Sequence, residues 1–413
     1  MALSSSNLQL ADWVEAVLPD YAGGSVANVP ASILSIFDAP PLKPDSPTSL
    51  LPALRPDILP EALVHDARAV VLLVLDGVGY RQLDAALESG DLPGFARAGH
   101  RSRLTSIFPS STAAALTSLQ VGVGPGTHGL AGYTLHLPAQ QRVVNMIKWK
   151  PVGGGHTAKP MPLPESFLPV PTIYQHLAAA GIPSVVVSQA AFAKSALTRV
   201  HCSGVPYAGH RTLSEFPALL LREAQKPGRR FVFGYWDGFD VVGHSYGPAS
   251  MTAGNELRLI DRALEQGLLE PLERLGGDVA VILTADHGQT AIPLNRRRNL
   301  AEVTGLTRRW SHQPTGEPRA LGLALQEPAD LDRVREFIAG DGVVLPVTDA
   351  LAMGLYGPGP WHPELVERVG NTLVLAKAET AMTYPGANSQ SIGGHGSLTE
   401  EEMLVPLLAW RFS

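Results

Sequence analysis

Six Asp and His side chains and one hydroxyl, spread over five short segments, are the residues of this chain best suited to act together. They are Asp76 in VVLLVLDGVG, Thr112 in FPSSTAAALTSL, Asp240 and His244 in DGFDVVGHSYGP, Asp286 and His287 in VILTADHGQT, and His395 in GGHGSLTEEE. Three carboxylates and three imidazoles divide into two sets of hard or borderline ligands, which is what two divalent ions flanking a phosphoryl group require. The chemistry to expect is hydrolysis of a phosphate ester.

The elements that must bring these groups together are legible in the hydrophobic pattern. Residues 69–75 (AVVLLVL) are a continuous β-branched and Leu run, the signature of a strand buried on both faces of a parallel sheet, and Asp76 follows at once. Similar runs occur at 183–188, 230–236 and 278–284, with helical periodicity in TIYQHLAAAG, LSEFPALLLREAQ and MTAGNELRLIDRALEQGLLEPLERL. Strands alternating with helices predict an α/β fold with a doubly wound, mostly parallel sheet carrying helices on both faces. Ligands collect at the carboxyl ends of such strands, and Asp76, Asp240 and Asp286 each lie just past a strand-like run.

Each segment alone has a plainer explanation. Asp76 at a strand end is commonly a helix N-cap, and any of Ser110, Ser111 or Thr112 suits the N-cap of the helix begun by AAALTSL. In the functional reading, that helix terminus stabilises an alkoxide and an incoming phosphate. Threonine is a poor nucleophile unless activated, and metal coordination is one route. Asp240 and His244 stand four apart, so a helical turn projects both from one face, with Asp237 a competing candidate. Asp286 and His287 at the mouth of a buried strand cost desolvation unless something pairs them. His395, in a glycine-rich turn, would by itself be a solvated loop residue.

Length and composition bound the class. A chain of 413 residues exceeds one ordinary core. The pattern divides it into an N-terminal arm (1–66) with a short amphipathic helix near Leu10 to Leu18, a core (67–291 and 386–413), and a smaller α+β insertion (292–385) acting as a lid. Within the insertion, ALGLAL and NTLVLAK read as strands and ADLDRVREFIAG as a helix. Lys and Arg total 32 against 38 Asp and Glu, a net charge of −6, which makes long nucleic acid an unsuitable partner and leaves small anionic substrates open. Cys202 is the only cysteine, so no intrachain disulfide forms. Neither a signal-peptide pattern nor an 18-residue apolar run is present, and the expectation is a cytoplasmic protein with no membrane contact.

Taken in order, the strings VLDGVG, FPSST, DVVGHSYGP, TADHGQT and GGHG resemble the alkaline phosphatase superfamily, most closely its type I phosphodiesterase and nucleotide pyrophosphatase branch. The resemblance spans residues 69 to about 410. It implies an alkaline phosphatase-like core and two divalent ions, zinc in most relatives, with Mn²⁺ the second candidate. By motif, one ion would be held by Asp240, His244 and His395, and the other by Asp76, Asp286, His287 and the Thr112 oxygen. It also implies a double displacement with Thr112 as nucleophile, acting on a small phosphate ester such as a nucleotide or phosphodiester.

The chain departs from that branch in two places. The Phe-Pro-Asn-His that follows the nucleophile in relatives is missing, and HGLAGY puts Tyr133 where many diesterases carry an Asn. Substrate preference is therefore open, with a phosphomonoesterase or phosphonate hydrolase as the alternative and a catalytically silent metal-binding module behind it. Tyr133, Lys148 and Lys150 are the candidate substrate contacts. For the lysines, solvated charges flanking a strand is the plainer reading, as a loop-structuring role is for His128. Arg296 to Arg298 and Arg308 to Arg309 are able to meet an anion from the insertion, although charge runs are usually solvated.

Overall fold

The computed structural model describes residues 13–42, 50–387 and 390–413. Its centre is a seven-stranded sheet in the order His100–Thr105, Leu404–Phe412, Val279–Thr284, Ala69–Leu75, Arg230–Trp236, Ser184–Gln189, Tyr207–His210. The last five run parallel, and Leu404–Phe412 is antiparallel to both neighbours. Every residue of Ala69–Leu75 and of Val279–Thr284 is buried, as an uninterrupted apolar run demands. This is the mostly parallel α/β core that the alternation of elements predicts.

Register decides what the sheet can do. Leu75 is paired with Trp236, and Val74 with Thr284, so three neighbouring strands end level with one another. The chain leaves them at Asp76, at Asp237 and at Ala285–Asp286. Acidic residues more than 200 positions apart in sequence thus emerge at one edge. A second pairing brings in the last segment: Gly393–Gly394 forms a short antiparallel ladder with Thr290–Ala291, which delivers His395 to the strand end that carries His287.

Residues beyond Asp286–His287 build a four-stranded antiparallel sheet, Thr315–Glu317, Ala320–Leu323, Thr372–Ala376 and Gly342–Pro346, with the helix Ala329–Phe337. They have their own buried cluster, which includes Leu300, Leu306, Leu323, Val334, Val374 and Met382. A three-stranded sheet that the sequence did not announce, Thr134–Leu137, Arg142–Asn145 and Lys150–Pro151, lies between Thr112 and the next parallel strand in sequence.

The N-terminal arm differs from its reading. Residues 10–12 of the expected amphipathic helix lie outside the described residues, and 13–18 form a turn and coil. Trp13 is buried while Val14 is exposed, and the Val17 N–H donates to the Leu398 carbonyl at 2.8 Å, so long-range anchoring has replaced local helix formation. A helix occurs instead at Val29–Ile36, with Pro30 in its first turn, where no intrahelical N–H is needed. Among the described residues no helix is long and apolar enough to cross a membrane.

Candidate active site

Thr112 is the first residue of the helix Thr112–Val121, and Ser111 takes the N-cap position. Ser110 is used elsewhere: its hydroxyl donates to the Ser397 carbonyl at 2.9 Å and accepts the Gly396 N–H at 3.1 Å. Thr112 turns its hydroxyl to the carboxylate and imidazole cluster, with its Oγ1 3.0 Å from His287 Nε2.

Asp76, Asp286 and His287 are all buried. His287 Nε2 lies 3.5 Å from Asp76 Oδ1 and 3.5 Å from Asp286 Oδ2. Asp76 Oδ2 accepts a hydrogen bond from the Tyr235 hydroxyl, and Asp286 Oδ1 accepts the Gly77 N–H at 3.3 Å. The remaining oxygens, Asp76 Oδ1 and Asp286 Oδ2, are buried without a hydrogen-bond partner. Burial, followed by the charge of Asp286 and then of Asp240, pushes the Asp76 carboxyl well above its usual range. Burial and Asp240 together raise Asp286 to about 7. Crowded, unpaired carboxylates of this kind call for a cation. Gly77, at φ +75°, allows the approach, because a Cβ there would stand 3.0 Å from that of Asp240.

Asp240 and His244 lie one turn apart on the helix Gly238–Tyr246, with His244 Nε2 3.4 Å from Asp240 Oδ2. The rival Asp237 sits at the N-cap position and accepts from Gln189 Nε2 at 2.5 Å. His395 Nε2 is 3.8 Å from Asp240 Oδ1 and 3.3 Å from His244 Nε2. Both histidines turn their Nδ1 to a backbone carbonyl, His244 to Gly393 at 2.9 Å and His395 to Ser110 at 2.8 Å. Those bonds fix Nδ1 as the donor and aim both Nε2 atoms at one another. Two bare nitrogens at that separation repel, so a proton or a cation belongs between them.

The same arrangement recurs at His287, whose Nδ1 faces the Gly288 carbonyl at 3.0 Å. Donor atoms of Asp76, Asp286 and His287 lie within 4.8 Å of one another, and so do those of Asp240, His287 and His395. The His287 and His395 rings are stacked, 3.7 Å between centroids. His287 therefore stands at the junction of the two expected ligand sets.

Three supporting residues went unread in the sequence. Tyr235 lies two residues before Asp237, at the end of a strand. Gln289, in the Asp-His-Gly-Gln string, donates from Nε2 to the Asp240 carboxylate and also to its carbonyl at 3.1 Å. Glu317, from the insertion, is buried with Oε2 3.2 Å from His395 Nδ1. Burial opposes a charge on His395, yet Glu317, Asp240 and the Ser110 carbonyl together outweigh it and lift the imidazole to about 10. Arg319, two residues on, is fully buried and pairs with Glu402 through two bonds of 2.7 Å. Glu402 in turn accepts the Ser397 N–H at 2.9 Å, which ties the insertion to the loop carrying His395.

Two cavities meet at this cluster, sharing Thr112, Ile147, Asp240 and Val241. One, of about 480 Å³, has Tyr133, His244, Arg297, Glu317 and His395 among its walls. The other, of about 240 Å³, is largely apolar and is bounded by Leu116, Val186, Phe192, Phe233 and Tyr235. Lys148 and Lys150 are exposed and line neither cavity. Trp149 between them packs edge-on against Phe167, and that inward anchor turns both neighbours to solvent. His128 is fully buried and structural, with Nε2 3.0 Å from the Ser118 hydroxyl and Nδ1 accepting the Leu130 N–H at 3.1 Å.

Comparison with known proteins places these motifs in context. The type I phosphodiesterase / nucleotide pyrophosphatase family matches residues 70–398. The alkaline phosphatase PhoK of Sphingomonas sp is 26% identical over 209 residues, which is 42% of this chain and 37% of that protein's length. Murine ectonucleotide pyrophosphatase / phosphodiesterase 5 superposes with a TM-score of 0.61 at 19% identity, covering 83% of this chain and 87% of the murine one. An inactive threonine-to-alanine variant of that murine protein, in complex with AMP, aligns to the same extent. Phosphonoacetate hydrolase from Sinorhizobium meliloti 1021, in complex with phosphonoformate, gives a TM-score of 0.61 at 20% identity over 83% of this chain and 90% of its own.

Proposed function

Because the chain belongs to the type I phosphodiesterase / nucleotide pyrophosphatase family, we propose that it is a metal-dependent phosphoric ester hydrolase acting on small phosphodiesters or nucleotides, with Thr112 as nucleophile. The observation that carries this reading is the facing pair His244 Nε2 and His395 Nε2, 3.3 Å apart with both Nδ1 atoms committed to carbonyls. The buried, unpartnered oxygens of Asp76 and Asp286 beside them supply the second half of the argument.

The residues fit two divalent ions. Asp240, His244 and His395 would hold one, and Asp76, Asp286, His287 and Thr112 Oγ1 the other. Nitrogen and carboxylate donors suit zinc, with Mn²⁺ the alternative. When bound, such ions stabilise charge on the attacking and leaving oxygens and lower the pKa of water. The chain's own part is positional. Thr112 stands where the helix N-terminus favours negative charge, roughly half an elementary charge in effect, and the strand ends hold three carboxylates around it. Gln289 and Tyr235 orient Asp240 and Asp76, and Glu317 and the Ser110 carbonyl orient His395.

A diester is favoured over a monoester because two cavities meet at Thr112 and Asp240, giving each substituent on phosphorus its own space. Segment 292–385 is proposed as a lid, since Ile292, Arg297, Glu317, Ala381 and Thr383 all face the larger cavity. Phosphomonoester or phosphonate hydrolysis is the alternative within the superfamily. A second mechanistic reading also rests on an observation: the 3.0 Å contact makes His287 Nε2 a proton acceptor for Thr112 without any metal. The test is to chelate the protein, restore Zn²⁺ or Mn²⁺, and assay bis-p-nitrophenyl phosphate, p-nitrophenyl phosphate, a nucleotide sugar and phosphonoacetate. Metal-restored turnover, highest on a diester, is the expected result.

A further inference from the structure

We propose that Arg297 binds an anionic group carried by the leaving portion of the substrate, so that the preferred substrates have a second phosphate or a carboxylate on that side of the scissile bond. The inference rests on the phosphoester-hydrolase reading above and adds to it the residue that selects among leaving groups.

Arg297 begins the short strand Arg297–Asn299, which pairs in parallel with Ala381–Thr383, so its backbone is held along one edge. Strand alternation separates it from its neighbours. Arg298 Nε donates to Asp341 Oδ2 at 2.6 Å, and Arg296 Nη2 lies 3.6 Å from Asp341 Oδ1. From the other basic run of the insertion, Arg309 pairs with Asp330 at 2.9 Å. Arg297 instead faces the larger cavity, half-buried, with Nη2 donating to the Ser391 carbonyl at 2.6 Å. Its Nε is buried and has no hydrogen-bond partner.

No carboxylate among the described residues forms an ion pair with Arg297. The two acidic side chains in the same cavity are engaged elsewhere, Asp240 with Gln289 and His244, and Glu317 with His395. Burial alone acts on the guanidinium, pushing it below its usual range with no anion to offset this, although an arginine so shifted stays protonated. A desolvated cation with no ion-pair partner, held at the wall of this cavity, is matched to an oxyanion that accepts charge-assisted hydrogen bonds from the outer guanidinium nitrogens. The cavity that holds it is the one walled by Asp240, His244 and His395, opposite the Asp76 and Tyr235 side, and at about 480 Å³ it has room for more than one oxyanion. Ser245 and Thr383 line it as well, their hydroxyls donating to the Val241 and Arg298 carbonyls at 3.0 and 3.4 Å.

The experiment compares substrates that share a thymidylate and differ in the leaving group. Thymidine 5′-p-nitrophenyl phosphate loses an uncharged aryl group, whereas thymidine 5′-triphosphate loses a group bearing further phosphates. Phosphonoacetate, whose leaving portion carries a carboxylate, is the third arm. For Arg297→Gln, kcat/KM should fall about tenfold or more on an anion-bearing substrate, the scale of one lost charge-assisted bond, and less than about threefold on the aryl ester. Arg297→Lys should recover part of the loss. Calorimetric binding of the α,β-methylene analogue of thymidine triphosphate should weaken by a similar factor in Arg297→Gln, a readout independent of turnover.

Dependence confined to the triphosphate assigns a phosphate, and dependence confined to phosphonoacetate assigns a carboxylate. Equal losses on all three substrates, or no loss on any, overturn the assignment while leaving the hydrolase reading intact. A metal-loaded wild-type protein that turns over none of them overturns that reading, and this assignment with it.

Discussion

Thr112 Oγ1 and His287 Nε2 are 3.0 Å apart, and that nitrogen is also 3.5 Å from a buried oxygen of Asp76 and of Asp286. One imidazole nitrogen thus faces the candidate nucleophile and one unpartnered oxygen of each of two buried carboxylates. It can accept the threonine proton or ligate a metal, but not both at once. Burial keeps His287 well below its usual basicity, which favours the bare nitrogen a ligand needs.

Metal removal separates these roles. Turnover of a diester by the chelated protein should be undetectable and should return on adding Zn²⁺ or Mn²⁺. A Thr112–His287 pair acting alone would keep a measurable rate in excess chelator, and that rate would disappear in His287→Ala.

Glu317 should act on the metal through His395. Carboxylates that hydrogen-bond a ligating histidine commonly contribute about 10–100-fold in metal affinity, so Glu317→Gln should weaken zinc binding by at least the lower figure. Competition with a chromophoric chelator measures this. Unchanged affinity would leave the Ser110 carbonyl, 2.8 Å from the same Nδ1, as the sole orienting group.

The stability of the metal-free protein should fall as the pH rises. Asp286 is raised from 3.8 to about 7, and His395 from 6.5 to about 10. A group raised on folding stabilises the folded chain fully below its unfolded pKa and loses that contribution as the pH climbs through the folded value. Asp286 therefore costs stability between about pH 4 and 7, and His395 between about pH 6.5 and 10. Thermal melts in chelator should drop from about pH 7 to 9, above the range in which buried neutral histidines such as His201 and His287 act in the opposite direction, with the gap to the metal-loaded protein widening. A Tm that is flat or rising over that range would contradict the cluster's electrostatics.

Replacing residues 292–385 with the corresponding segment of a relative should change the ranking of the substrate panel more than the metal content, because none of the six Asp and His ligands lies in it. Metal analysis paired with the assay panel decides the matter. Lost metal with an unchanged ranking would remove the lid role.

The parts of this site that could be read from sequence share one physical feature. Asp76, Asp240, Asp286 and His287 follow apolar runs that can only be buried strands, so their convergence follows from the parallel sheet and its register. Glu317 offered no such signal, because an isolated acid in a short antiparallel strand acquires meaning only when the insertion folds back on His395. For Lys148 and Lys150 the plainer reading, solvated charges, agrees with their exposure in and just after a turn whose Trp149 packs inward on Phe167. The strand Leu404–Phe412 was missed for another reason. Pro406 argues against a central strand, yet this one sits between two neighbours in the sheet.

The central claim is that Thr112 bonds to phosphorus, and the turnover of metal-loaded Thr112→Ala tests it most directly. At metal content equal to wild type, kcat on a diester should fall at least ~10²-fold, the low end for losing one transition-state interaction, and Thr112→Ser should retain part of the rate. An alanine variant turning over near the wild-type rate would contradict the account, leaving a directly attacking hydroxide in place of the threonine.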